Sequence, residues 1–406
     1  MTPRRPTHRL AVVMACCALA GGSGALALPV AAAGGIAPGE KQQTGRTGAI
    51  SDPGRAAIAS RRSDLTVAQA AGQMVVGRLA EGATTANASI DRRIEAGALG
   101  AVILFSSNIV SSRQLRALTA ELQAAARRGR RPALLIGVDQ EGGLVKRVPF
   151  AAPWPSAEAM GKTPNVGSLA RAEGRNTGNA LRALGVNMDF APVADVAHSR
   201  GNFIAATGRA FGSSRTVVER GATGFAEGLA EGGLIGTAKH FPGLGYAGSI
   251  STDEAAVVIR RSARSLRADY AAYEAMAAKG PRVAPVVMVS NAIYPALHDP
   301  VLPAALSEQI VGHELGRAHM AGRVVITDDL DVPEVARYGP RAVAWAVRAG
   351  DDMLMFAARE TRSAQAYREI VGLVAHGALR RATVLAAAEK VVQLKREFGL
   401  RVPAAY

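Results

Sequence analysis

Short apolar runs recur along this chain with helix-forming stretches between them, and that alternation limits the accessible folds more than any other feature. The runs are MVVGRL near 74–79, AVILF at 101–105, ALLIGV at 133–138, VNMDFAPV at 186–193, LIGTA at 234–238, PVVMVS at 285–290, RVVIT at 323–327 and DMLMF at 352–356. Intervening segments such as SRQLRALTAELQAAARRG and TVVERGATGFAEGLAEGG have helical periods and end on glycine. Apolar strands alternating with helices predict a parallel sheet covered on both faces. Eight such units with none left over predict a (β/α)8 barrel of the TIM type. Polar residues directly follow several runs: DQEGG after LLIGV, KHFPG after LIGTA, NAIYP after VVMVS and DD after VVIT. Those positions lie at the C-terminal face, where a barrel gathers its active site. About fifty residues follow the last run, enough for closing helices and too few for a second domain.

The N-terminus has a different character. Arg4, Arg5 and Arg9 precede the apolar run LAVVMACCALAGGSGALALPVAAA, the pattern of a secretory leader, which is expected over residues 1–33. Both cysteines, Cys16 and Cys17, fall inside it, so the mature chain is expected to lack disulfides. VMAC resembles a lipobox, which would make Cys16 a lipid attachment point, but apolar sequence continues well past it and free secretion is the preferred reading. Residues 34–63 are rich in Gly, Ser and charge without an apolar period and read as a flexible linker. Structure is expected from 64 to 406, beginning at the capping-box spacing Thr66 to Gln69. The chain carries 48 basic and 33 acidic residues, a net charge of +15. With export expected, that surface suits anionic wall polymer or lipid headgroups, and nucleic acid is not an expected partner.

Most motifs of other chemistries are absent or out of context. Gly243-Leu-Gly245-Tyr-Ala-Gly248 matches a dinucleotide fingerprint, but KHFP stands between it and the preceding strand. There is no HExxH or GxSxG, and no CxxC in the mature chain. Asp328 and Asp329 follow a strand directly, and because adjacent residues of a strand face opposite ways, one is expected in the barrel mouth and the other in a structural role such as a helix cap. A carboxylate there suits attack on an anomeric carbon. Asp139, Arg209, Lys239 and His240 are expected on the same face, where they suit multipoint hydrogen bonding to sugar hydroxyls.

GVDQEGGLVKR, LRALGVNMDFAPVADV, GRAFG, KHFPGLG, VVMVSNAIYPAL, VVITDDLDV and VRAGDDMLMF occur in the order found in family 3 glycoside hydrolases. The chain resembles in particular the single-domain, NagZ-like β-N-acetylglucosaminidases of bacterial cell-wall recycling, from about Leu65 to Phe356. The resemblance implies one catalytic barrel without the second α/β sandwich domain, and retaining hydrolysis through a covalent glycosyl-enzyme. It maps the nucleophile to Asp328 and the sugar-binding positions to Asp139, Arg147, Arg209, Lys239 and His240. It implies no cofactor and no metal. The implied substrate is a glycan or muropeptide ending in β-linked GlcNAc, and a monomer is expected.

The family's general acid/base is a histidine in an Asp-x-His dyad after KHFPG. LGYAGSISTDEAA contains no histidine. Asp253 or Glu254 could donate the proton once burial raises its pKa. Alternatively, the enzyme could be restricted to good leaving groups, or the chain could be a non-catalytic glycan-binding relative. The retained nucleophile and sugar-binding set favour the first reading, with Asp253 as the acid/base. A β-glucosidase or a phosphorylase on the same barrel are the other activities open at this stage.

Overall fold

The structure is a computed structural model that describes residues 65–297 and 302–406. The expected leader, its Cys16 attachment point and the linker lie outside the described residues. Each apolar run forms one strand: β1 (Val75–Arg78), β2 (Ala101–Ile103), β3 (Leu135–Val138), β4 (Met188–Asp189), β5 (Ile235–Phe241), β6 (Val286–Val289), β7 (Val324–Thr327) and β8 (Leu354–Met355). They make one 8-stranded sheet in the order β8-β1-β2-β3-β4-β5-β6-β7, and every neighbouring pair is parallel. The two ends meet, because Met353 bridges Ile326 in parallel and the Thr327 amide donates to the Met353 carbonyl at 3.0 Å. The sheet is therefore the expected (β/α)8 barrel.

The first helix, α1 (Val67–Met74), starts as its sequence predicts. Thr66 Oγ1 accepts from the Gln69 amide at 3.2 Å, and Gln69 Oε1 accepts from the Thr66 amide at 2.9 Å. The two helical stretches singled out above form α2 (Ser112–Arg128) and, with α3 (Val166–Ala183) between them, α4 (Arg215–Glu231). The last helix is α5 (Arg381–Glu397). Among the described residues no helix is long and apolar enough to cross a membrane.

Strand residues alternate between two apolar layers, which is why the runs lack a polar period. Val286 and Met288 of β6 belong to the barrel interior, whereas Val287 and Val289 pack under the helices. Val391 and Leu394 of α5 join the interior cluster, so the chain's last helix stops one end of the barrel. Beside them the fully buried Lys395 donates to Gln73 Oε1 at 2.6 Å and to the Gly100 carbonyl at 3.1 Å. Burial pulls its ammonium down to about 7. Gln73 and Gly100 precede β1 and β2, so this lysine ties together the N-terminal edge, opposite the mouth.

Helices α3 and α4 approach so closely that glycine is required at their crossing. A Cβ at Gly174 would lie 2.2 Å from the Phe225 carbonyl oxygen, and one at Gly228 would lie 2.1 Å from that of Arg171. On helix propensity alone, Gly228→Ala should stabilise by about 1 kcal/mol. Here the methyl meets backbone, so Gly228→Ala is expected to destabilise by about 1–3 kcal/mol. Urea denaturation of the variant checks this, and an unchanged or higher midpoint would show that the crossing relaxes freely.

Candidate active site

The strand ends of the C-terminal face surround a cavity of about 270 Å³. Its wall includes all seven residues expected from the sequence: Asp139, Arg147, Arg209, Lys239, His240, Asp253 and Asp328.

Behind β3 the three residues of the DQE stretch take separate tasks. Asp139 faces the cavity and accepts from Lys239 Nζ at 2.7 Å. Gln140 is fully buried; its side chain donates to the carbonyls of Val148 and Ala152 and accepts from the Val148 amide, which shapes the following loop. Glu141, 4% exposed, receives Arg209 Nε and Nη2 at 2.8 Å each and Lys239 Nζ at 2.6 Å. Burial pushes the Glu141 carboxyl up, but Arg209 and Lys239 outweigh it and hold it well below the usual carboxylate range. Burial likewise opposes the Lys239 charge, and Asp139 and Glu141 raise its pKa nonetheless, so the lysine stays protonated. Two of its three N–H bonds go to carboxylates.

Lys239 and His240 are adjacent in β5, yet both border the cavity. The register with β6 shifts between Ala238 and Phe241, and such an irregularity re-aims side chains that would otherwise alternate. His240 Nδ1 lies 2.7 Å from Asp195 Oδ2, and its Nε2 lies 3.4 Å from Arg209 Nη2. The neutral tautomer satisfying both carries its proton on Nδ1, since the guanidinium can only donate. Asp195 also accepts from the Leu244 amide at 2.7 Å, which fixes the start of the loop after β5. Arg147 lies at the rim, its Nε 3.9 Å from Asp139 Oδ2.

Both aspartates after β7 border the cavity, which corrects the expectation that only one could. Alternation applies within a strand, and β7 ends at Thr327, so the bend at Asp328 releases the chain from it. The structural role expected for one of them is nevertheless filled: Asp329 Oδ1 accepts from the Asp331 and Ala357 amides at 2.9 Å each. Burial raises Asp329 to about 7 against those two bonds. Asp328 is raised by burial first and by the charge of Asp253 second, while His240 opposes both. Asp253 reaches the wall on the loop after β5 together with Ser251 and Thr252, but it is exposed, so the burial expected for the acid is not found there; Glu254 is exposed and does not border the cavity. Asn291 is buried and donates to the Asp329 carbonyl at 2.7 Å.

Sequence reasoning did not single out Glu141, Asp195, Arg78 or Phe105. The two acids could have been found by charge balance, because two buried cations require buried anions. Arg78 ends β1 and borders the cavity with its guanidinium 4.6 Å from the Phe105 ring centroid. The rule that polar residues follow strands applies to it as well. Among the described residues no group of three or more His, Cys, Asp or Glu could hold a metal ion.

A parallel eight-stranded barrel with carboxylates and cations converging at its C-terminal mouth is an enzyme barrel built for a polar, hydroxyl-rich ligand. The glycosyl hydrolase family 3 N terminal domain matches residues 66–394, and the chain belongs to that family and is a glycoside hydrolase. An uncharacterized secreted glycosyl hydrolase of Arthroderma benhamiae is 32% identical over 335 residues, 80% of this chain and 92% of that protein. A beta-hexosaminidase of Bordetella parapertussis is 36% identical over 283 residues, 67% of this chain and 76% of its own. The family 3 beta-N-acetylglucosaminidase of Paenibacillus sp. superposes with a TM-score of 0.77 at 28% identity, covering 82% of this chain. The present chain spans 63% of that enzyme's length.

The Glu141 network yields a direct test. Glu141→Gln leaves Arg209 and Lys239 underpaired in a dry site, and breaking a buried pair costs about 3–5 kcal/mol. The expected result is a clearly lower midpoint in chemical denaturation. A loss below about 1 kcal/mol would mean that water replaces the carboxylate at little cost.

Proposed function

We propose that this protein is an exo-acting, retaining β-N-acetylglucosaminidase that removes terminal β-linked GlcNAc from peptidoglycan-derived fragments. The observation that carries the reading is the cavity at the barrel mouth that Asp328 and Asp253 both line. In the proposed mechanism the Asp328 carboxylate attacks the anomeric carbon while Asp253 protonates the departing oxygen. The glycosyl-enzyme ester is then cleaved by a water whose proton returns to Asp253. Asp139, Arg147, Arg209, Lys239 and His240 hold the sugar hydroxyls. Relatives named beta-hexosaminidase and beta-N-acetylglucosaminidase support the choice of sugar. The basic composition and leader-like N-terminus, with a fungal relative named as secreted, support action outside the cell on wall fragments. In this reading residues 1–33 are the leader, 34–63 the linker and 64–406 the catalytic domain.

Hydrolysis of 4-nitrophenyl β-GlcNAc by the purified protein, beside Asp328→Ala and Asp253→Ala, is the deciding experiment. This leaving group hardly needs an acid, so turnover should vanish in Asp328→Ala and persist in Asp253→Ala. On a GlcNAc-MurNAc disaccharide, Asp253→Ala should lose about 10²–10⁴-fold. Binding of GlcNAc with no turnover of either substrate by the wild type would make the protein a glycan receptor and overturn the assignment.

A second consequence concerns pH. Asp328 must be ionised to attack, so kcat/KM falls on the acid side through its raised pKa. Burial is the main cause of that rise, so the acid limb for the activated substrate should lie above the pH range of an ordinary carboxylate. A pH–rate profile checks this; a limb in the ordinary carboxylate range would mean that burial does not raise Asp328.

A further inference from the structure

The loop carrying Asp253 is anchored by hydrogen bonds to other segments at its two stems, whereas at its tip Thr252 is buried and the hydrogen bonds are mainly local. On the near stem, Asn202 Nδ2 donates to the carbonyls of Leu244 and Ala247 at 2.8 Å each. The His198 and Phe203 amides donate to the carbonyls of Gly245 and Gly248 at 3.0 and 2.9 Å. On the far stem, Ile259 and Val257 exchange backbone bonds with Ile293 at 2.8 Å each. The tip is held mainly by local bonds, with Ser251 accepting from the amides of Asp253 and Glu254 at 3.2 and 3.1 Å.

Tyr246 joins the two stems. Its ring stacks on the His198 imidazole at 3.7 Å between centroids and 6° between planes, and the guanidinium of Arg261, beyond the far stem, lies 5.0 Å from its centroid. His198 in turn is held by Asp269, whose Oδ2 lies 2.7 Å from Nε2 and whose Oδ1 accepts from Arg215 Nε at 2.7 Å. Asp269 is buried, so this pairing is stiff. The stack therefore ties the loop after β4, both stems of the loop after β5 and the first turn of α4. Neither His198 nor Tyr246 borders the cavity.

We infer that the His198–Tyr246 stack, braced by Asp269, positions the Asp253 loop for proton donation to the leaving group. This rests on the hydrolase reading above, with Asp253 as acid. His198 and Tyr246 are positioning residues: they touch no reacting atom and act through the place of the loop tip. An imidazole so paired resembles the missing family dyad in composition, but it lies outside the cavity and serves the loop instead.

The test compares two leaving groups. Because a positioned acid contributes about 10²–10⁴-fold, Tyr246→Ala should lower kcat on the GlcNAc-MurNAc disaccharide, relative to kcat on 4-nitrophenyl β-GlcNAc, by at least about tenfold. KM for both substrates should change little. Tyr246→Phe keeps the stacked ring and should restore the ratio. His198→Gln removes the ring under Tyr246 while leaving Asp269 a polar partner, and should reproduce the Tyr246→Ala ratio in a folded protein. An equal fall on both substrates, or an unchanged ratio in both His198→Gln and Tyr246→Ala, overturns the inference. With Asp253→Ala run in parallel the two failures separate. If that variant loses the disaccharide while the stack variants keep the wild-type ratio, only the positioning role is wrong. If Asp253→Ala turns over the disaccharide normally, the acid assignment fails and the positioning role with it.

Discussion

Three buried charges set the terms for the rest of the site. Lys239 and Glu141 are almost fully enclosed, and Arg209 closes on Glu141 with two parallel bonds. Taking such groups out of water costs several kcal/mol each, so they are tolerable only as a set with good geometry. That requirement fixes how far the ends of β3 and β5 and the loop after β4 can drift from one another. It also leaves a preorganised array of donors facing the cavity that need not reorganise when a polar ligand arrives. Asp139 is the exposed edge of the array, bonded to Lys239 on one side and open to the cavity on the other.

The carboxylates that follow β7 live under different conditions. Asp329 is neutralised in part by burial and committed to two backbone amides, so it supports the bend that presents Asp328. Asp328 receives the Asp329 amide at 2.8 Å, and that bond, with His240 nearby, offsets some of its burial. Two neighbouring acids thus acquire different tasks from their surroundings alone, the usual way in which one residue type serves two roles.

The barrel was legible because each strand is buried on both faces, and a doubly buried strand must be written as an unbroken apolar run such as PVVMVS or RVVIT. Asp139, Lys239, His240 and Asp328 were legible through their place after those runs, whereas Arg147 was named only through the family resemblance. What was not legible depends on contacts between distant segments. Glu141 looks like one more polar loop residue until Arg209, 68 positions away, is seen closing on it. The glycine crossing of α3 and α4 is likewise invisible, since glycine in a helical pattern normally signals an end or a weakness. Asp329 escaped the alternation argument because strand geometry ended with the apolar run at Thr327, and alternation was carried past that end. The loop after β5 has no period, so Asp253 could be named as its candidate acid only by what is missing from it.

The stopper at the far end of the barrel has a consequence for how the molecule is made. Lys395 meets Gln73 across 322 positions, and the helix that carries it supplies the side chains that fill the end of the barrel. An N-terminal fragment can form helices and neighbouring strand pairs, but it cannot seal its own interior. Contacts so distant in sequence also close slowly. The finished barrel therefore waits for the last helix to emerge from the ribosome. In the extracellular setting proposed above, a chain threaded across a membrane during synthesis would have no completed barrel to unravel first.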